Sequence, residues 1–314
     1  MKGIGILLVM LGHVWSQYIP HTHHVICSFH MPLFFLVAGY FSKAWSDWPT
    51  AKQTLRKYFV RLVIPMAVTQ LAITLWYVLM ALVQASTWQM ALSQLLATFS
   101  ADVFPPPHMG GALGVVWFLM ALFWAKVALL FLSRLKVWAL PASVAIAIGT
   151  LLLHQVFPYS LWCLSHGLTA LPFVVLGWWL RTHKAPLWLC LIAVLCWGVA
   201  LFFLPTMDMY SFTYSHYLLN ALGACGGTYV VYLVSRLIAQ HTRFAARLFS
   251  YLGVISLAIM CVHCFEIDCH FGNHLRVALG LDLSAGWLYV WRYALTIALA
   301  VVLVHIPKVK KLFV

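Results

Sequence analysis

Lys2 and His13 are the polar groups that flank an apolar run near the start of the chain, with 11 positions between one and the next. On a helix rising 1.5 Å per residue they stand about 16 Å apart. That interval is close to three full turns, so both fall on one face, with Ile6, Val9 and Gln17 on the same stripe. An imidazole changes charge near neutral pH and can act as a general base. This one falls near the middle of a hydrocarbon layer about 30 Å thick, above a cation at its edge. Such a base could be reached from both sides. The bland alternative is a neutral core histidine bonded to a neighbouring helix, and the stripe alone does not separate the two.

Further groups could do chemistry. Arg56, Lys57 and Arg61 share a broad helix face just before Pro65. Clustered cations there could hold phosphates, either of a nucleotide cofactor or of lipid heads, and composition alone favours the lipid. In the stretch from Val262 to His270, a helix would put His263, Glu266 and His270 on one face. Glu266 could then pair with a histidine and raise its basicity. Cys261, Cys264 and Cys269 crowd the same stretch, yet no zinc spacing is matched, and no metal is expected there or among His21, His23, His24 and His30. The segment Ser28–Phe35 contains His30 and Pro32; a proline is tolerated at a helix start but bends a helix deeper in, where it could open backbone groups to a cavity, and this segment alone favours an ordinary proline-kinked, aromatic-rich span. Lys126 and Arg292 fall within apolar runs, where charge is expensive. Gly223, Gly226 and Gly227 are read as packing positions that allow close helix approach.

The elements that must position these groups follow from composition. Of the 314 residues, 64% are hydrophobic and 8% are charged, with a mean hydropathy of +0.95. A soluble domain is about half apolar and about a quarter charged. A soluble enzyme, a disordered chain and a secreted disulfide scaffold are thereby excluded. Helices whose solvent is lipid remain. The expected fold is an all-α polytopic bundle forming one membrane-embedded domain over 1–314. Ten spans are expected, near 3–19, 26–42, 59–83, 111–133, 137–157, 166–181, 185–204, 215–235, 250–270 and 286–306. The polar stretch 84–110, with three consecutive prolines, is expected to be an extramembrane loop carrying a short interfacial helix. The first apolar helix has no small-residue cleavage site and is read as a retained span.

Charge sets the expected orientation. With a cytoplasmic N-terminus, the loops carrying Lys43 to Arg61, Arg134, Lys136, Arg181, Lys184, Arg236, Arg243, Arg247 and Lys308 to Lys311 all face inward. Arg276 is then the only basic residue in an outer loop, and Asp102, Asp208 and Asp282 lie outside. This is the positive-inside pattern, so N-in and C-in are expected. It accounts for the net charge of +13 without nucleic acid as a partner. The eight cysteines fall mostly in apolar runs and are read as small packing residues.

Several segments together resemble the acyltransferase-3 family of integral membrane acyltransferases, most closely its fucose 4-O-acetylase-like branch. Lys2 to His13 is similar to the family's first helix, ending in its characteristic histidine. Phe29-His30-Met31-Pro32-Leu33-Phe34-Phe35 with Ala38-Gly39-Tyr40 resembles its second-helix signature, and Arg61-Leu62-Val63-Ile64-Pro65 its entry to the third. Trp117-Phe118-Leu119, Pro172-Phe173 with Leu176-Gly177, and Leu252-Gly253 with Ser256-Leu257 and His263 follow in the family's order. The order and spacing are specific, and no single motif is.

The resemblance implies transfer of an acetyl or other acyl group from cytoplasmic acetyl-CoA to a sugar hydroxyl. The acceptor would belong to a surface glycan or its lipid-linked precursor, and the site would be the bacterial inner membrane. His13 would be the base, or would itself be acylated first. Lys2, Arg56, Lys57 and Arg61 would hold the acetyl-CoA. His30, Trp117, His263 and Glu266 would face the acceptor. The alternative function is a transporter or flippase for a lipid-linked sugar, which a basic rim and mid-membrane polar groups also fit.

Overall fold

The computed structural model describes residues 1–14, 20–83, 88–89, 92–93, 96, 116–158, 160–205 and 207–313. Gln17 and nearly all of the loop expected over 84–110 lie outside them. In chain order the helices are α1 (Lys2–Val14), α2 (Pro20–Cys27), α3 (His30–Tyr40), α4 (Trp48–Tyr58) and α5 (Ile64–Val83). Then come α6 (Trp117–Leu132), α7 (Ala139–Val156), α8 (Leu164–Thr169), α9 (Leu171–Trp179), α10 (Leu187–Phe203) and α11 (Tyr217–His241). The chain closes with α12 (Arg243–Val254), α13 (Ser256–Cys269), α14 (Phe271–Ala278), α15 (Ala285–His305) and α16 (Pro307–Phe313). The single β pairing among the described residues is an isolated bridge between Asp208 and Thr213.

Five helical runs among the described residues are long and apolar enough to cross a membrane, and seven if two bent pairs are each one span. Sequence expectation and structure differ here for physical reasons. The expected span 166–181 is broken: α8 and α9 meet at 52°, where Pro172 in the first turn of α9 has no N–H to continue the helix before it. The expected span 250–270 straddles a 68° bend at Ile255, between amphipathic α12 and apolar α13. Helices α1 and α10 have 13 and 17 residues, below the roughly 20 that cross the hydrocarbon core untilted. The run Trp117–Val156 divides at a 3-10 turn, Ser133–Trp138, in which Lys136 has a φ of 52°.

Helix α3 is the centre of the bundle. His30 through Phe35, Val37 and Gly39 are all buried, as befits a helix apolar on every side. Pro32 lies in its first turn, where a missing N–H costs no intrahelical bond. Helix α9 crosses α3 at bare backbone: a Cβ on Gly39 would collide with the Val174 carbonyl, and one on Gly177 with that of Leu36. Phe35 meets Phe118 of α6 edge-on at 4.9 Å. Gly226 lets α11 lie against Ala193 of α10 in the same way, which is the packing role expected of it. The outer faces are apolar too, as lipid-facing surfaces are: Leu71, Leu75, Leu79 and Leu82 form an exposed stripe on α5. None of the eight cysteines forms a disulfide.

Candidate active site

Helix α1 presents the expected stripe with both ends open and its middle closed. Lys2 and His13 are exposed, while Ile6 and Val9 between them are buried. Packing of the apolar positions against the core fixes the helix rotation, and that rotation fixes where Lys2 and His13 point. The His13 ring lies 5.7 Å from that of His263, centroid to centroid, with the planes tilted by 54°. His263 comes from α13 and is 2% exposed. His30 is buried one helix away, and its Nδ1–H donates to the Ile26 carbonyl at 3.0 Å. That bond fixes the tautomer and leaves Nε2 as an acceptor. His30 lies within electrostatic reach of His13, His23 and Asp208.

The Lys2 end holds the cations. A π-helical turn, Phe59–Val63, joins α4 to α5 and carries Arg61. Pro65 supplies no N–H for the Arg61 carbonyl four residues back, and the helix widens at that turn. Arg56, Lys57 and Arg61 are exposed, and Lys2 has its Nζ over the Phe41 ring at 5.4 Å. Half-buried Lys126 of α6 joins this group: it stands 4.3 Å over the Tyr58 ring and within electrostatic reach of Lys2, Lys57 and Arg61. Sequence reading placed Lys126 in a span and gave it no role. Its signal was spacing, because nine positions below Trp117 is about 14 Å down the same helix. Like charges held together at such a place suit a polyanionic ligand.

Trp117 is not a ring neighbour of His13. It packs against His166 at 5.2 Å and Tyr210 at 5.7 Å. His166 is a residue that sequence reasoning did not single out. Its Nε2–H donates to the Tyr210 carbonyl at 2.9 Å, and its Nδ1 accepts from Ser160 Oγ at 3.2 Å. The Tyr210 bond ties His166 to the turn that carries Asp208, Tyr210 and Phe212. Asp208, on this turn, is within electrostatic reach of His13, His30 and His166.

Glu266 has a different partner from the histidine expected for it. Its Oε1 accepts from Arg292 Nε at 2.6 Å and its Oε2 from the Gly272 N–H at 2.7 Å. The Arg292 guanidinium also reaches the Glu266 carbonyl at 3.4 Å, and Trp291 donates its indole N–H to the Gly272 carbonyl at 2.9 Å. Helix α13 ends at Cys269 and His270 is left-handed with φ 49°, so His270 does not continue the His263–Glu266 face as expected. Among the described residues no group of three or more His, Cys, Asp or Glu is placed to hold a metal ion.

His13 and the cationic group around Lys2 thus sit at opposite ends of one helix, with the His263 imidazole beside His13. The sequence matches the acyltransferase-3 family, an acyltransferase domain, over residues 1–306. Neither a curated protein nor a solved structure matches it.

Proposed function

The chain belongs to the acyltransferase-3 family, and on that premise we propose that it moves an acetyl group from cytoplasmic acetyl-CoA to a sugar hydroxyl. The acceptor is a cell-surface glycan or its lipid-linked precursor, as in the fucose 4-O-acetylase-like branch. The observation that carries this reading is α1 itself, with a cationic cluster around Lys2 at one end and His13 beside His263 at the other. Lys2, Lys57, Arg61 and Lys126 meet the donor's phosphates through charge-assisted hydrogen bonds, and Arg56 adds to the field at the same rim. The thioester is aimed along α1 toward His13. His13 takes the hydroxyl proton as the oxygen attacks the carbonyl, the carbon–sulfur bond breaks, and CoA leaves as the thiolate. His30 and Trp117 line the acceptor side.

A ten-span, N-in and C-in course in the bacterial inner membrane completes the proposal. It is supported by helix within each of the ten apolar stretches and by the kink at Lys136 that divides the longest run. The placement of nearly all loop cations on one side supports the orientation.

Two measurements test this reading. Cells with and without the gene should differ by O-acetyl groups in the mass spectra of their surface glycans. A glycan missing altogether from the surface, with no acetyl group missing from what remains, would instead indicate a transporter. Purified Arg61→Ala protein should show a donor KM raised about ten- to a hundredfold, the loss of one charge-assisted phosphate contact of about 1.5–3 kcal/mol. Its acceptor KM should move little. A raised acceptor KM with the donor KM unchanged would remove Arg61 from the donor site.

A further inference from the structure

His263 is packed inside the bundle, and its Nε2 has no hydrogen-bond partner among the described residues. An unmet buried polar atom costs free energy, and native structures keep few of them. One beside a reactive group is explained when a substrate atom supplies the missing partner. The neighbouring group is His13, with ring centroids 5.7 Å apart. Nε2 makes no bond to that ring, so the two imidazoles are adjacent without being coupled through it. An oxygen bridging two ring nitrogens at about 2.8 Å each spans at most about 5.6 Å between them. With the ring centroids 5.7 Å apart, nitrogens on the facing edges of the two rings fall within that reach, so one hydroxyl oxygen can bond to both. His13 is open and His263 is closed, so an oxygen arriving at His13 meets His263 as the inner wall.

We propose that His263 positions the acceptor, donating its Nε2–H to the same hydroxyl oxygen whose proton His13 removes. This rests on the reading of His13 as the base. The hydroxyl then donates to His13 and accepts from His263, which leaves its other lone pair for the thioester carbonyl. The oxygen–carbon bond forms, the carbon–sulfur bond breaks and the thiolate departs. The proton remains on His13, and His263 neither gains nor loses one. Its contribution is orientation, which is lost when the donor is lost even if the space stays filled.

The test compares purified wild-type, His263→Phe and His263→Gln proteins in detergent for melting temperature, kcat of CoA release and both KM values. Phe fills the space without a donor, and it removes an unmet polar atom. It should melt no lower than wild type while kcat falls about ten- to a hundredfold and the donor KM stays put. Gln carries an amide N–H near the place of Nε2 and should recover most of kcat. If the Phe variant does not accumulate, His263→Asn takes its place, being polar but too short to bring its amide to the oxygen, and it should lose kcat likewise. Wild-type kcat in the Phe or Asn variant would overturn the proposal. So would melting temperature and kcat falling in step in every variant, which is the mark of a purely structural histidine. Failure of the base itself reads differently, as continued turnover in a protein lacking the His13 imidazole.

Discussion

His13→Gln protein should insert, fold and melt like wild type, and should release almost no CoA when acceptor is present. Gln keeps a polar, hydrogen-bonding tip of similar reach but cannot take a proton near neutral pH. Removing a general base typically costs about 10²–10⁴ in rate, so what remains should lie near background. The structure sharpens this expectation. His13 is exposed at the end of a stripe whose middle is buried, and among the described residues no hydrogen bond of its ring anchors a helix in the way His30 bonds to Ile26 or His166 to Tyr210. A histidine with a structural task would resemble those two. If it were such a histidine, Gln would preserve activity and Ala would lower the melting temperature. CoA release and thermal melting on wild-type, Ala and Gln proteins separate the readings. Substantial turnover by the Gln variant would remove His13 from the chemistry.

The positions of Lys2 and His13 were legible because a single helix fixes them. Spacing along one element is local information, and the burial of Ile6 and Val9 between two exposed ends follows from the same 3.6-residue period. A helix in the second apolar run was legible for the same reason, but its start at His30, which puts Pro32 in the first turn and not at a kink inside a span 26–42, was not. Breaks inside apolar runs were not. Hydropathy continues through Ile255 and through Ala170, although the backbone turns by 68° and 52° there. Such bends are set by packing and by a proline near a helix start, and mean hydropathy does not register them. What other helices bring to a residue was also hidden. Lys126 reads in sequence as an isolated charge, and only the approach of α1 and the π-helical turn makes it part of a cationic cluster. The Trp117–His166–Tyr210 contact joins residues up to 93 positions apart, between the numbers 117 and 210, and no periodicity links them.

The misreading of Glu266 has the same origin and leads to a test of its own. A helix face in isolation offers it His263 and His270 as partners. The fold ends that helix at Cys269 and brings in Arg292 from α15, 26 positions away. The Glu266 and Arg292 side chains are 6% and 15% exposed. Breaking a buried ion pair by removing one partner typically costs about 3–5 kcal/mol, because the other charge is left uncompensated. Arg292→Met should therefore melt well below wild type, and so should Glu266→Gln, which strands the guanidinium. The double variant, with both charges gone and the Gly272 N–H still met by the Gln carbonyl oxygen, should recover much of the loss. Its activity decides what Glu266 is for. A carboxylate that only clamps α13 to α14 and α15 is replaceable once the fold is restored, so the stable double variant should release CoA at a rate close to wild type. A carboxylate that also grips the acceptor is not replaceable, and the double variant would then be stable with a raised acceptor KM. Single variants that melt with wild type would show that the pair contributes nothing, and that the 2.6 Å contact is not what holds the end of α13 in place.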